Sequence, residues 1–335
     1  MKITHYKRSG SQGEIIRLAF FFNQSTLVDC NFLWRAQFED QGANNPKRKA
    51  ATFSPALLSE LLQVQDNGID FFKESYELFK TLSRKGILKT HDGADISFDL
   101  KDHKNLSLDK PIDSINCFRD FYTHEKHVKI GFEKRGEPVP EEWYKIPVYY
   151  KSNTAGFIAT DDIIPWPSFT QKLDYELELA AVIGKRGKNL TEANAYSHIL
   201  GFTVLNDLSA RDLQKDEMKV RLGPSKSKDF ASIIGPVIVT SDEFHFQDPD
   251  LLMTARVNGD IWSQGRTSDS YYSWGEMLAF ASKDEWLLPT DVCGSGTVGT
   301  GCGLELDKWI RPGDLLELEI EQIGILKNIV GIPNK

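Results

Sequence analysis

The sequence predicts a strand-rich α+β chain, with a small N-terminal α+β segment ahead of a larger β-rich one. Three observations predict this. The 335 residues exceed what one core of ordinary size needs. Apolar residues recur at helical spacing in the first hundred positions, whereas from about Pro111 short apolar runs are divided by Gly, Pro and Asp. Helices in the later part are too few and too irregular for repeated βαβ units. The division is drawn at residues 1–105 and 111–335.

In the first segment, the apolar run Ile15 to Phe22 reads as a strand interrupted by Arg17. Leu57, Leu58, Leu61 and Leu62 mark a helix over Phe53 to Val64, with Ser54-Pro55 as its start signal. A second helix runs from about Gly68 and ends near Lys85-Gly86, a basic last turn followed by a C-capping glycine. This segment shows no cluster of titratable residues, and its expected role is packing and positioning.

In the second segment, Ala180 to Ile183, Ile233 to Val239 and Leu315 to Ile320 read as strands. Helices are expected at Thr191 to Leu200, behind a capping box weak at its last position, and at Ser273 to Ser282. Asn258-Gly259 between two apolar runs signals a hairpin.

Composition excludes several classes. Hydrophobic residues make up 40% and charged residues 26%, near globular averages, so disorder is not expected. Net charge is −8, and beyond Lys47-Arg48-Lys49 no basic run stands out. A nucleic-acid partner is therefore not expected. No apolar stretch reaches the length of a membrane span, and no export signal opens the chain. Cys30, Cys117, Cys293 and Cys302 form no CxxC pair, which fits reduced thiols in a cytoplasmic protein.

Five segments carry chemistry. In Asp174-Tyr-Glu176-Leu-Glu178, period-two geometry puts Glu176 and Glu178 on one strand face. Adjacent carboxylates repel unless a cation compensates them, and a hard divalent ion does so with oxygen ligands. The alternative is an exposed acidic face. Asp207 follows an apolar strand and can complete a three-carboxylate site. Arg211 and Gln214 share a helix face. Arg211 suits a substrate carboxylate, or else a salt bridge to Asp212 or Glu217, and Gln214 suits a carbonyl or hydroxyl. The loop Leu222 to Ser232 presents Lys228, to balance carboxylates or an enolate oxygen, or as a solvated charge. Asp120 and His127 stand seven apart, a general base near a carboxylate or a capped helix with exposed histidines. The glycine-rich run Gly294 to Gly303 permits close backbone approach to a small ligand, and Glu305 after it can orient a histidine.

Together these segments resemble the fumarylacetoacetate hydrolase superfamily from about residue 111 to 332. The most specific parts are Glu176-x-Glu178, Asn206-Asp-Leu-Ser-Ala-Arg-Asp-Leu-Gln214 and Gly294-Ser-Gly-Thr-Val-Gly-Thr-Gly301. The resemblance implies a mixed β-roll behind a smaller N-terminal domain, usually dimeric. It implies a divalent metal, Mg²⁺ or Mn²⁺ with Ca²⁺ also accepted, on Asp120, Glu176, Glu178 and Asp207. It implies that His127 activates water, that Glu305 orients His127, and that Lys228 serves an oxyanion. Tyr122, Tyr150, Arg211, Gln214 and Thr297 are implied to contact substrate, with Tyr149 as a substitute for Tyr150. Ser232 stands where the family has threonine, and Arg135 lies out of register with a family arginine. The implied activity is hydrolysis of a C–C bond in a 1,3-dioxo acid of fumarylacetoacetate or acylpyruvate type. Same-fold lyase or isomerase chemistry (decarboxylase, dehydratase or tautomerase) is the alternative. A metal-stabilised binding protein without turnover is a further one.

Overall fold

The computed structural model describes residues 1–10, 13–103 and 105–333. It is strand-rich and mixed, as expected, and is built on two large sheets. The larger sheet orders its strands Ser97–Asp99, Thr26–Asp29, Gly13–Phe21, Lys2–Gly10, Ser232–Thr240, Ile199–Asn206, Leu177–Ile183, Val292–Gly294, Phe118–Phe121 and Tyr149–Ser152. The two sequence segments thus share one sheet, joined where Lys2 and Ile3 pair with Val239 and Ile238. A five-stranded sheet orders Asp260–Arg266, Leu252–Val257, Leu315–Ile320, Gly324–Pro333 and Ile163–Trp166.

Strand alternation divides the core in two. Leu177, Leu179, Ala181 and Ile183 face Met253, Ala255, Leu318 and Leu326 of the five-stranded sheet. Ala180 and Val182 lie on the opposite face, in a core with Leu33, Leu61, Phe72 and Leu82 from the N-terminal helices. Glu178 shares the parity of Ala180 and Val182, so it lies on the face that the N-terminal segment covers.

Most expected elements are present. The hairpin at Asn258-Gly259 has both residues at positive φ, 54° and 85°, which an Asn-Gly turn tolerates. The helix Gly68–Arg84 ends at Lys85, with Gly86 at φ 73° behind it. Two helix assignments need correction. Phe53 to Val64 is not one helix, because Pro55 separates Pro46–Phe53 from Leu58–Val64. Asn45 caps the first of these, which carries the exposed run Lys47 to Lys49. The helix expected over Thr191 to Leu200 is only Glu192–Ala195 with a 3₁₀ turn. Its capping box is complete through Asn194, but Ile199 and Leu200 already belong to the central strand. No helix among the described residues is long and apolar enough to cross a membrane.

Gly201 marks the tightest approach in the central sheet, since a Cβ there would overlap Val239 O and come within 2.6 Å of Ile238 Cγ2. Overpacking of this kind costs about 1–3 kcal/mol. Gly201→Ala should therefore lower Tm by several degrees, whereas Gly42→Ala, with open space around it but positive φ, should cost less. Equal losses in a thermal melt would contradict this packing.

Candidate active site

Adjacent strands of the large sheet deliver the acidic residues. Glu178 sits within Leu177–Ile183, and Glu176 just precedes it. Asp207 follows Ile199–Asn206, whose last residue pairs with Leu177. Asp120 lies on Phe118–Phe121, where it pairs with Gly294 on one side and Tyr150 on the other. Asp120, Glu176, Glu178 and Asp207 are all buried, each offering an oxygen within 4.8 Å of the others.

Gly294 makes this convergence sterically feasible. A Cβ at that position would collide with Asp120 Oδ1 and come within 2.8 Å of Glu178 Oε2. The glycine-rich run therefore approaches the protein's own carboxylates, where the sequence suggested an external ligand. Gly296 N–H donates to Glu178 Oε2 at 3.1 Å, and the Thr297 hydroxyl donates to Glu178 Oε1 at 3.2 Å. Gly303 N–H and Leu304 N–H donate to Asp174.

Two cations face the cluster. Lys228 Nζ donates to Glu176 Oε2 at 2.5 Å and also to Asp207. Arg211 Nη2 donates to Glu176 Oε1 at 2.7 Å, Nε to Asp174 Oδ2 at 2.8 Å, and Nη1 to Gln214 Oε1 at 2.9 Å. Three of the five N–H donors of Arg211 are thus taken by protein groups, and its carboxylate partners are neither Asp212 nor Glu217. Asp212 accepts from Thr170 and Gln171 N–H instead, and Glu217 from Ser225 and Ser227. The Tyr150 hydroxyl donates to Asp207 Oδ2 at 2.5 Å, while Tyr149 packs on Phe121 and Phe280. Ser232 Oγ lies 3.4 Å from Asp207 Oδ1.

The electrostatics divide the carboxylates. Burial raises the Glu176 pKa, but Lys228 and Arg211 outweigh it and hold the group well below the usual range. Burial, with neighbouring negative charge, pushes Asp120 and Glu178 well above it. Asp207 is also raised, by burial that Lys228 only partly offsets. Asp120 Oδ1 is buried and makes no hydrogen bond. An all-oxygen donor set with an unpartnered oxygen and surplus negative charge fits a hard divalent cation.

Beside the carboxylates stand a histidine and a glutamate in contact. His127, in the first turn of Glu125–Arg135, places Nδ1 3.1 Å from Glu305 Oε2. Burial raises the Glu305 pKa, but contact with His127 outweighs it and leaves the carboxyl below its ordinary value. The Tyr122 ring stands edge-on to the imidazole at 5.3 Å. Burial pushes the Tyr122 hydroxyl up to about 12, against the pull of nearby Arg135. The histidines are buried rather than exposed: His124 makes no side-chain hydrogen bond, and burial and His127 press its pKa down to about 3.

Two site residues escaped the sequence reading. Asp174 anchors Arg211, and its parity with Glu176 and Glu178 was the available signal. Cys302, whose thiol lies 3.4 Å from Glu305 Oε2, gave none.

The raised carboxylates set a direction for pH. Their native pKa values exceed the unfolded ones, so their contribution to stability is full below about pH 4 and is lost as pH rises through the raised values. A divalent cation bound there would replace the protons. The Tm gain from Mg²⁺ or Mn²⁺ should therefore grow from about pH 5 to about pH 8. At a hundredfold excess over Kd the gain corresponds to about 2.7 kcal/mol. Glu178→Gln and Gly294→Ala should each abolish most of it, and an undiminished gain in both would count against a cation at this cluster.

Residues 116–331 match the family model for the C-terminal part of fumarylacetoacetate (FAA) hydrolase. The chain is 34% identical over 227 residues to oxaloacetate tautomerase YisK of Bacillus subtilis, covering 67% of this chain and 71% of that one. It is 30% identical over 315 residues to the mitochondrial oxaloacetate tautomerase fahd2 of Xenopus laevis, covering 85% and 94%. Its fold is similar to the fumarylacetoacetate hydrolase of Exiguobacterium antarcticum, with a TM-score of 0.67, 23% identity and 98% and 99% of the chains covered. With the acidic cluster delivered by the same matched segment, the chain belongs to the fumarylacetoacetate hydrolase family.

Proposed function

We propose that this protein is a metal-dependent tautomerase of a small oxo-dicarboxylic acid of the oxaloacetate type, with Mg²⁺ or Mn²⁺ on Asp120, Glu176, Glu178 and Asp207. The carrying observation is the histidine–carboxylate contact of His127 and Glu305 beside a buried acidic cluster. Support for the substrate class comes from the two relatives, both named oxaloacetate tautomerases. The expectation of C–C hydrolysis thereby gives way to its isomerase alternative.

The chemistry a divalent cation supplies at such a cluster is stabilisation of negative charge on an oxo or enolate oxygen. His127 takes the proton from the carbon beside the oxo group, and the same imidazolium returns it to oxygen. In the reverse direction it moves from oxygen to carbon. Glu305 holds the ring and stabilises the imidazolium while the proton is in transit. Lys228 uses two of its three N–H donors on Glu176 and Asp207, which leaves one for the enolate oxygen. Gln214 accepts from Arg211 through its carbonyl, which leaves its NH₂ group for the substrate. With three of its N–H donors engaged, Arg211 keeps two for a substrate carboxylate, and a second cation would strengthen that hold. Arg135, 42% exposed beside Tyr122, is the candidate.

C–C hydrolysis is the second reading, favoured by the same His127–Glu305 pair, which can equally take a proton from water. Decay of enol-oxaloacetate absorbance, with products identified by mass, separates the two. Metal-dependent loss of the enol with no change in mass supports tautomerisation. Cleavage of an acylpyruvate into two acids would replace it. His127→Ala should lower kcat by roughly 10²–10⁴-fold while keeping the metal-dependent Tm gain; normal kcat would refute the assigned base. Arg135→Gln should raise KM for an oxo-dicarboxylate more than for an oxo-monocarboxylate, and equal KM changes would remove Arg135 from the site.

A further inference from the structure

His127, Cys302 and Glu305 form a cluster of their own, distinct from the four carboxylates. A nitrogen of His127, the Cys302 thiol and a Glu305 oxygen all lie within 4.8 Å of one another. His127 Nδ1 is 3.1 Å and Cys302 Sγ 3.4 Å from the same oxygen, Glu305 Oε2. Ligand atoms of tetrahedral zinc, bound at about 2.0–2.3 Å, stand about 3.3–3.8 Å apart. Two of the three separations are thus near that spacing, and the third is within 4.8 Å. His127 is 8% exposed, and its Nδ1 faces only the Glu305 carboxylate, at 3.1 Å.

The donor chemistry differs from that of the neighbouring cluster. Four carboxylates suit a hard cation, whereas sulfur, nitrogen and oxygen together suit a borderline-soft one. Three protein ligands also leave a fourth position for solvent. We propose that His127, Cys302 and Glu305 are a second metal site, selective for Zn²⁺, whose occupation shuts down proton transfer. Zinc there ligates Nδ1 and Glu305 Oε2, the contact that orients the base. Burial keeps the free Cys302 thiol protonated. On binding, the S–H bond breaks, an S–Zn bond forms and the proton leaves to solvent, so zinc affinity rises with pH. The inhibitory consequence rests on the proposed function; the binding does not.

The test uses the full-length protein saturated with Mg²⁺. Co²⁺, a spectroscopic substitute for Zn²⁺, should give a thiolate-to-cobalt charge-transfer band in the wild type. Cys117→Ser should retain the band, and Cys302→Ser should lose it. Calorimetry should find one equivalent of Zn²⁺ bound with Mg²⁺ still in place, weakened at least tenfold in Cys302→Ser. Should that variant fail to fold, His127→Asn should lose the zinc equivalent while keeping its Mg²⁺-dependent Tm gain. A wild type without the band, a band that persists in Cys302→Ser, or Zn²⁺ that only displaces Mg²⁺ would each overturn the site. Zinc should inhibit the wild type, and Cys302→Ser should resist it. Zinc binding as expected, without turnover of any oxo-acid, would sustain the site and overturn the tautomerase reading alone.

Discussion

Everything at the centre of this protein depends on keeping buried carboxylates together. Two like charges about 4 Å apart repel by about 4 kcal/mol at an effective dielectric near 20, and Asp120, Glu176, Glu178 and Asp207 meet within 4.8 Å. Desolvation adds to that cost. Lys228 and Arg211 relieve it at Glu176, and Tyr150, Thr297 and Gly296 N–H contribute neutral donors elsewhere. The relief is uneven. Glu176 is held ionised, whereas Asp120 and Glu178 are pushed toward the protonated state. The carboxylates with raised pKa values, Asp120, Glu178 and Asp207, are where a cation's charge has most effect.

The sheet sets the distances. Asp120, Gly294, Ala180 and the Glu178 beside it lie on neighbouring strands, so hydrogen-bond register fixes which side chains meet. Glycine at the middle strand lets Asp120 and Glu178 close across it. The same face continues into the core shared with the N-terminal helices, which place Leu33, Leu61 and Phe72 against Ala180 and Val182. The first hundred residues therefore do more than accompany the site. They extend its sheet and bury the face from which its carboxylates project.

What the sequence made legible follows from how local each signal is. Glu176 and Glu178 were readable because a strand repeats every two residues, and Asp207 because it ends an apolar strand. Asp120 and His127 lie on a strand and a helix brought to the cluster by tertiary pairing, and resemblance had to supply their roles. Spacing correctly put Arg211 and Gln214 together, as their 2.9 Å hydrogen bond shows. It could not supply the partner of Arg211, because Asp174 is 37 residues away in sequence. The glycine run was recognised as a place of close approach, but what approaches is acidic side chains from other strands. In the N-terminal segment, Pro46–Phe53 was hidden by its charged surface. The buried group of Tyr6, Arg17 and Asp29 forms only once two strands and a helix cap are assembled.

The choice between moving a proton to carbon and taking one from water does not lie in the carboxylate core. Both reactions put negative charge on an oxygen and need one base, and on the proposed reading the core with His127 and Glu305 would serve either. Most donors of the core cations go to its own side chains, since Arg211 binds Asp174, Glu176 and Gln214 and Lys228 binds Glu176 and Asp207, which leaves two N–H groups on Arg211 and one on Lys228. On the proposed reading, discrimination between substrates is shared with groups beside the core: the NH₂ of Gln214, the Tyr122 hydroxyl and the Arg135 guanidinium. Arg135 meets Tyr122 over Gly131 despite its offset in sequence, because a glycine there leaves room for both side chains. A cation there favours a second carboxylate on the substrate, and a second carboxylate beside the oxo group acidifies the carbon between them. On the proposed reading, substrate recognition at the rim thus lowers the barrier to carbon deprotonation, and the same base is directed toward tautomerisation rather than attack by water.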